Sequence, residues 1–384
     1  MIRRLTYLIA VLASLLLTAC SVYDDRMYGP NGEQKVKVSF VLALGSSDDP
    51  FTRAETWHPD DPTDDDNNIG YDPKAIGDSY DNMIDPGTLQ VVFYHTTGEF
   101  VGKVNNLAYS QVGTTDEDRN LYKFTGTMLL DEDLVNSNPQ LKMMVFANFP
   151  ESQRAVINGG ADVSELKALT FIRFGAGKDT DFIPMWGVKT VDLKLSGDPG
   201  TTDLGTVYVL RAMAKVEVKL SEALSDGGYT LTSMTMNNLN ASGYCLPAGA
   251  ETLSDTEKLL LSSSINVNSS SPLASQTVES QEAQGVQSLV MYVPEYKNDG
   301  SADPATIRLA LKQNEKGVLK TLLPESVIEF KVYDGSGKPV ENSDYDIVRN
   351  HNYVFEIKSL KEDGLKFLVT IEDLELGGRY GFEY

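Results

Sequence analysis

Apolar and polar residues alternate along many short stretches of this chain, and the first is the stretch 35–44. Its apolar positions are Val36, Val38, Phe40, Leu42 and Leu44. A period of two places successive side chains on opposite faces of a β-strand, with one face in a core. We therefore predict a strand at 35–44 whose apolar face is buried.

Similar stretches recur along the rest of the chain, and few stretches have a helical period. Residues 45–88 are predicted as a loop, because Asp, Asn, Pro and Gly dominate there. A short helix is predicted over 164–174. Short strands separated by turn residues favour an all-β protein built of β-sandwiches. The further strands are predicted at 89–95, 141–149, 204–210, 214–220, 229–236, 286–293, 306–312, 326–333, 353–358 and 365–376.

A break in the pattern near residue 200 divides the chain. The run Ser-Gly-Asp-Pro-Gly at 196–200 interrupts regular structure. We therefore predict two domains, at about 35–203 and 204–384. The predicted last strand follows a polar break at 361–364. It is either the last strand of its own sandwich or a strand donated to a neighbouring subunit, and composition does not decide between the two. Its apolar positions are Leu365, Phe367, Val369 and Ile371.

The N-terminus has the features of a bacterial lipoprotein signal peptide. Arg3 and Arg4 precede an apolar run at 5–17, which is too short to span a bilayer comfortably. The run ends in Leu-Thr-Ala-Cys, so we predict a signal peptide at 1–19, cleaved between Ala19 and Cys20. Cys20 then becomes the lipid-bearing N-terminus that holds the protein on a membrane. A plain secretory signal that happens to precede a cysteine is the alternative.

Two acidic residues closely follow the predicted lipid. Asp24 and Asp25 resemble the acidic signal that sends some bacterial lipoproteins to the outer face of the outer membrane. The alternative is an acidic tether that is simply solvated. The sequence thus predicts surface exposure on the outer membrane.

Charge and cysteine content limit the partners. The formal net charge is −22, and such a surface repels nucleic acid and anionic lipid. We therefore expect no nucleic-acid partner. Cys20 and Cys245 are the two cysteines, so a lipidated Cys20 leaves Cys245 without an intrachain disulfide. We predict that Cys245 is buried as a small apolar residue.

Sequence motifs for catalysis or cofactor binding are absent. The three histidines do not stand at metal-ligand spacing, and no serine nucleophile elbow, phosphate-binding loop or dinucleotide fingerprint occurs. The acidic loop at 60–72 could bind Ca²⁺, but its spacing misses the EF-hand pattern, which favours a solvated loop. Two tryptophans are too few for an aromatic sugar-binding platform. We expect no enzyme, no cofactor and no metal.

One arginine lies in the predicted loop after the first strand. Arg53 precedes Ala54 there, and an exposed arginine in a flexible loop is a good protease site. From its chemistry alone, an ordinary surface arginine is the favoured interpretation.

Five stretches resemble, in the same order, segments of the fimbrillins, which are lipoprotein pilins of type V pili. The stretch that opens with Leu-Arg-Ala-Met-Ala resembles the start of the family's second domain, and Pro-Met-Trp-Gly resembles a Pro-Met-x-Gly segment just before it. Together the stretches span most of the chain after Cys20. They lie at 145–148, 183–187, 210–218, 292–295 and 349–353.

The resemblance implies a fold and a mechanism. The fold is two transthyretin-like Greek-key β-sandwich domains in tandem after the signal peptide. An arginine-specific protease then cuts Arg53–Ala54 and releases the lipidated pro-segment 20–53 with the 35–44 strand. This strand completes the N-terminal domain, 54–203, before the cut. Its loss opens a groove, which the C-terminal strand 365–376 of the next subunit's C-terminal domain, 204–384, fills.

The resemblance also assigns roles to the two apolar faces and names the partners. The partners are other pilin subunits, the protease and, before cleavage, the outer membrane. The displaced face is Val36, Val38, Phe40, Leu42 and Leu44, and the donor face is Leu365, Phe367, Val369 and Ile371.

Some positions differ from the best-known shaft pilins, so alternatives stay open. The linker before the last strand is short, and Leu374 stands where tryptophan is common. The residues after Cys20 also resemble the start of anchor subunits. The loop around Arg53 and the donor-like C-terminus favour a shaft-type pilin that supports adhesion. The alternatives are an anchor or tip subunit, or a monomeric glycan-binding surface lipoprotein.

Overall fold

The structure is a computed structural model with two groups of β-sheets and few helices. It describes residues 33–44, 69–72, 84–112, 121–137, 139–172, 182–193, 201–254, 265–282, 285–315, 317–322, 327–333, 339–361 and 364–373.

The N-terminal half of the described chain contains ten strands. They are β1 (Gln34–Leu44), β2 (Ile69–Asp72), β3 (Gln90–His95), β4 (Phe100–Lys103), β5 (Asn105–Val112), β6 (Leu121–Leu130), β7 (Gln140–Ala147), β8 (Thr170–Ile172), β9 (Met185–Asp192) and β10 (Thr202–Arg211).

Strands in the C-terminal half include one long hairpin, β21–β22. They are β11 (Ala214–Leu220), β12 (Tyr229–Asn240), β13 (Ser242–Tyr244), β14 (Leu273–Glu279), β15 (Ser288–Val293), β16 (Thr306–Glu315), β17 (Val318–Leu322), β18 (Ile328–Glu329), β19 (Lys331–Tyr333), β20 (Pro339–Asp344), β21 (His351–Lys361) and β22 (Gly364–Asp373).

Helices among the described residues are short connectors. They are α1 (Glu132–Asn136), α2 (Glu151–Asn158), α3 (Val163–Leu166) and α4 (Glu222–Asp226), with a 3₁₀ turn at Pro86–Thr88.

The predicted helix over 164–174 is wrong beyond its first turn. A capping box between Asp162 and Glu165 starts α3, but the helix ends at Leu166. Residues 170–172 instead form β8, which pairs antiparallel with β13. A partner strand some seventy positions later in the chain therefore overrides the local helical preference.

The first core lies inside a sheet that bends on itself. The strand order is β4-β3-β7-β9-β10-β1-β6-β5. β10 pairs with β1 through its first eight residues and with β9 through Leu210 and Arg211. It thus joins two halves of the sheet, and one continuous cluster of buried side chains takes residues from both halves. This is the first β-sandwich.

The second core lies between two separate sheets. One has the order β15-β11-β21-β22-β2, and the other has the order β14-β12-β16-β17 with β18 beside β16. Buried residues of β11, β12, β16 and β21 form the cluster between them. The all-β fold class predicted from the sequence is confirmed.

The change from one core to the other falls between Met213 and Ala214. The predicted boundary at 203/204 therefore cuts through β10, whose buried residues Leu204, Val207 and Val209 belong to the first cluster. The sequence break near residue 200 precedes this strand and was misleading, because β10 completes the first sandwich before the chain enters the second.

One strand occupies a region that the sequence predicts as loop. β2 lies within 45–88, and its backbone pairs in parallel with β22 from Ile69–Val369 to Asp72–Glu372. A four-residue strand at a sheet edge has no alternation long enough to detect. Among the described residues, no helix is both long and apolar enough to cross a membrane.

Candidate functional site

The candidate site is the position that β1 occupies in the first sandwich. β1 pairs antiparallel with β6 from Gln34 to Leu42 and in parallel with β10 from Val38 to Leu44. It is therefore an interior strand, although it comes from the N-terminal end of the chain. Its departure would leave β6 and β10 each with an unpaired edge.

Alternate side chains of β1 fill the first core. Four of the five predicted apolar positions are at most 2% exposed, and the side chain of the fifth, Leu44, lies outside the described residues. At roughly 1.5–3 kcal/mol per fully buried large side chain, these four contribute on the order of 6–12 kcal/mol. That is comparable with the whole stability of a typical domain. The four are Val36, Val38, Phe40 and Leu42.

Phe40 anchors the strand at its centre. Its ring stacks on Phe124 of β6, with ring centroids 5.4 Å apart and an interplanar angle of 13°. Tyr109 of β5 contacts the same Phe124 ring from a distance of 5.8 Å. The three rings therefore link β1 to both strands on its β6 side, and Phe124 would lose its stacked ring partner if β1 left.

The other face of β1 contributes little to its retention. Lys35 and Lys37 are exposed, and the Ser39 hydroxyl reaches the Asp203 carboxylate only at 3.5 Å. Exposed charges and long hydrogen bonds contribute little to stability. β1 is therefore held by apolar burial and backbone pairing, which any strand of similar pattern can supply.

The predicted donor strand lies in its own sandwich in this structure. β22 forms a hairpin with β21, in which Phe367, Val369 and Ile371 are the register partners of Ile357, Phe355 and Tyr353. Those three β21 residues are at most 1% exposed and belong to the second core. The register thus aligns the apolar positions of β22 with buried positions of β21. Donation would require β22 to separate from β21 and from β2.

The five stretches that resemble fimbrillin segments meet where the two cores join. The backbone N–H of Ala212 donates to Pro184 at 2.8 Å, and that of Asn350 donates to Met213 at 2.9 Å. The Asn148 side-chain amide donates to the Ile183 carbonyl oxygen at 2.9 Å. Segments far apart in sequence are thereby fastened to one another at the junction.

A buried ion pair lies at the centre of this junction. Arg349 and Glu295 are 6% and 2% exposed by side chain, and Arg349 Nη2 lies 2.7 Å from Glu295 Oε2. The Arg349 guanidinium also donates to the carbonyl oxygens of Tyr244, Cys245 and Leu246 at 3.0–3.1 Å. These bonds satisfy the buried cation. The 244–246 segment packs on the first core, and the same bonds fasten it to the second sandwich.

A second buried arginine lies beside the first. Arg211 is fully buried, and its Nη1 donates to the Asn350 side-chain oxygen at 2.8 Å. Asn350 has a φ of +61°, as Asn148 does, and asparagine tolerates this left-handed conformation better than most residues. The Cβ of any residue larger than glycine at Gly187 would overlap the Tyr208 carbonyl oxygen. Backbone geometry therefore favours asparagine at the first two positions and requires glycine at the third.

The sequence contained a signal for the ion pair that reasoning from the residues missed. Arg211 ends β10, Glu295 lies two residues after β15, and Arg349 lies two residues before β21. Charges next to buried strands are seldom fully buried unless paired, so a pairing between these segments was open to inference.

Cys245 is buried at this junction, as predicted. It is 0% exposed, and burial raises the pKa of its thiol to about 12, although the nearby Arg349 opposes the shift. A thiol with so high a pKa is protonated at neutral pH and unreactive. Its role is packing.

Several predicted sites lie outside the described residues. They are the signal-peptidase site at Ala19 and Cys20, the lipid position Cys20, the proposed cut at Arg53 and Ala54, and the acidic part of the loop at 60–68. Within the described part of the chain, no three His, Cys, Asp or Glu side chains are grouped so that they could hold a metal ion.

No family model and no curated protein matches this chain. Solved structures similar to it include the tip fimbrial protein Mfa3 of Porphyromonas gingivalis, in a C-terminally truncated form, with a TM-score of 0.45 and 15% identity over 88% of this chain and 99% of that one. A candidate cell adhesion protein of Parabacteroides distasonis has a TM-score of 0.47 and 11% identity over 91% and 99%. The fimbrial anchor protein Mfa2 of Porphyromonas gingivalis has a TM-score of 0.34 and 9% identity over 87% and 97%. The solved structures similar to this chain thus include fimbrial and cell adhesion proteins.

Proposed function

We propose that this chain is a structural subunit of a cell-surface fimbrium, assembled by strand exchange. The observation that carries the proposal is the position of β1, an interior strand with a buried face that precedes the predicted cut at Arg53. Its removal leaves a groove and two unpaired strand edges. A strand from another subunit restores both the buried apolar contacts and the backbone pairing by β-strand addition.

The proposed order of events makes cleavage the switch. The chain is exported, loses residues 1–19 and is anchored to the outer membrane through lipid on Cys20. An arginine-specific protease at the surface then cuts Arg53–Ala54, and β1 leaves with the lipid. While β1 is in place the groove is filled, so polymerisation waits until the subunit is at the surface. The role is structural and needs no catalysis.

In a shaft-type pilin the incoming strand is the C-terminal strand of the next subunit, β22. The proposed donor residues are Leu365, Phe367, Val369 and Ile371, which alternate as those of β1 do. β22 pairs with β21 on one side and with β2, a strand of four residues, on the other. Donation of β22 must therefore break both pairings. The free energy gained when β22 enters the groove of the next subunit must exceed the free energy lost when it leaves its own sandwich.

A second candidate role is a tip subunit, which accepts a strand but keeps its own. The register of β22 against the buried residues of β21 favours this role, because the strand is aligned to complete the second core. Both roles need the groove that β1 leaves, and they differ in whether β22 is released. An anchor subunit would instead retain its lipid and leave Arg53–Ala54 uncut.

The decisive experiment compares two arginine substitutions. β1 lies between Arg26 and Arg53, so a cut after Arg26 frees the lipid but leaves β1 in the groove. We expect Arg53→Ala to abolish the ladder of heat-sensitive oligomers on an unboiled gel, and Arg26→Ala to leave it intact. The mature N-terminus should be Ala54. Polymers formed by Arg53→Ala, or an acylated Cys20 on polymerised protein, would refute the strand-release mechanism.

A deletion of 365–384 separates the two candidate roles. For a donor strand, the truncated monomer stays folded, accepts a strand and ends the polymer. If β22 instead belongs to the core of its own sandwich, the deletion unfolds the second sandwich. Circular dichroism and thermal unfolding distinguish these results before any assembly assay. Cys20→Ala is expected to abolish acyl labelling, and normal labelling of that variant would contradict the lipid site.

A further inference from the structure

β1 and β22, the two strands of the proposed exchange, both run towards the junction between the two cores. β1 begins beside Leu130 of β6 and ends beside Val209, close to where β10 reaches the junction. β22 ends beside His351, which directly follows the segment that bonds to the junction. Each strand therefore begins at the outer end of its sandwich. In the first sandwich the outer end is at Leu130 and α1, and in the second it is at the turn 361–364.

The turn that joins β21 to β22 is short. β21 ends at Lys361 and β22 begins at Gly364, so three residue steps connect the two strands and span at most about 11 Å. β21 runs away from the junction, because its first residue lies there and its last lies at the outer end. If the turn opens, β22 continues in the direction of β21 and leaves its own sandwich at the outer end. The rest of the donor must then lie next to the groove that β22 enters.

The two ends of the groove in the first sandwich differ in what lies next to them. Residues 20–33 are attached at the outer end, because they precede β1, and they leave with β1 after the proposed cut. At the junction end the same subunit's second sandwich begins, and the Arg349–Glu295 pair fastens it there. A domain of about 150 residues has a radius of gyration of about 15 Å. A link of at most about 11 Å therefore cannot hold a second such domain at the junction end.

We propose that β22 enters the groove from its outer end and in the direction of β1, antiparallel to β6 and parallel to β10. β21 and β22 then form one strand, 351–373, that passes through two neighbouring subunits. The turn 361–364 of one copy lies against Leu130 and α1 of the next copy. The partner at this surface is a second copy of this chain, and the arrangement rests on the proposed strand exchange.

The length and pattern of β22 fit the groove in this direction. β22 has ten residues and β1 has eleven. The donor positions from Leu365 to Ile371 span seven residues, as do the buried positions from Val36 to Leu42. A strand with the direction of β1 restores the antiparallel pairing with β6 and the parallel pairing with β10. The donor thus replaces β1 on both edges without a change in either pairing.

The test is cross-linking between two copies of the chain, each with one added cysteine, after the cut at Arg53. The acceptor copy carries Glu132→Cys at the outer end or Lys123→Cys near the junction end of β6, both at accessible side chains. The donor copy carries Lys361→Cys or Asp373→Cys, at the two ends of β22. Lys123 lies seven residues before the end of β6, which is about 23 Å along the groove. A short bismaleimide therefore distinguishes the two ends.

The native cysteines do not interfere with this reagent. Cys20 leaves with the pro-segment, and Cys245 is fully buried. Copies that also carry Arg53→Ala keep β1 in the groove and are the matched control, in which no cross-link between copies is expected.

We expect Lys361→Cys to cross-link to Glu132→Cys, and Asp373→Cys to cross-link to Lys123→Cys, within the heat-sensitive polymers. The two exchanged pairs should give at least about tenfold less product, because their sites lie at opposite ends of the groove. A reversed pattern, or equal yields for all four pairs, would overturn the proposed direction and leave strand exchange intact. Absence of polymers after the cut at Arg53 would overturn strand exchange itself, and this arrangement with it.

Discussion

Truncation of Phe40 is the sharpest test of how β1 is held. Phe40 is fully buried and stacks on Phe124, so Phe40→Ala removes a core ring and half of an aromatic pair. Removal of a buried Phe ring costs about 3–5 kcal/mol in well-packed cores. We expect the first sandwich of the uncut chain to lose that amount of unfolding free energy.

The chain contains a convenient reporter for this measurement. Its two tryptophans are Trp57 and Trp186, and Trp186 is 1% exposed in the first core. In a Trp57→Phe background, fluorescence during urea unfolding therefore follows the first sandwich alone. The second sandwich contains no tryptophan, so its transition does not interfere with the signal.

Lys37→Ala is the matched control, since Lys37 lies on the same strand with its side chain exposed. It should change stability by less than about 0.5 kcal/mol. Once the chain is cut at Arg53 and β1 has left, neither substitution remains in the subunit. A loss below about 1 kcal/mol for Phe40→Ala would refute the view that buried side chains of β1 hold it in the groove.

Three further predictions concern the junction. Glu295→Gln leaves the buried Arg349 charge uncompensated and should lower the free energy of unfolding by about 3–5 kcal/mol. The control Glu251→Gln, at the exposed pair with Lys167, should lower it by less than about 1 kcal/mol. Equal losses in urea unfolding would contradict the role of burial. Gly187→Ala should destabilise the first sandwich by about 1–3 kcal/mol, because its Cβ would overlap a backbone carbonyl, and unchanged stability would show that β9 and β10 can separate. Cys245 should resist a thiol reagent at pH 8 in the folded chain and react in urea, and rapid reaction without urea would contradict its burial.

The raised pKa of Cys245 also has a consequence for pH dependence. The thiol ionises at about 8.5 in the unfolded chain and at about 12 in the folded chain. Because the unfolded state loses its proton first, folding stability falls as pH rises from about 8.5 towards 12. Below pH 8.5 this group has no effect on the pH dependence. Cys245→Ala should remove this part of the alkaline loss.

The sequence by itself determined several of the strands, through alternation or through continuous apolar runs. β1, β3, β7 and β11 were predicted within about two residues. Alternation revealed β1 and β11, whereas continuous apolar runs revealed β3 and β7, which are buried on both faces. The all-β class followed from the number of such stretches. The edge strands β4, β5 and β14 were missed, because an edge strand can bury little; no residue of β14 is buried. The interior strands β6 and β9 were missed as well.

Only the tertiary structure decided where those strands lie and what the resembling segments do. No local pattern shows that β1 lies between β6 and β10, that β10 belongs to the first core, or that β22 is aligned with buried residues of β21. Nor does one show that Arg349 and Glu295 pair at 2.7 Å across 54 positions of sequence. Alternation encodes which face of a strand is buried, whereas strand neighbours and ion pairs depend on contacts between segments distant in sequence. Those contacts exist only once the chain has folded.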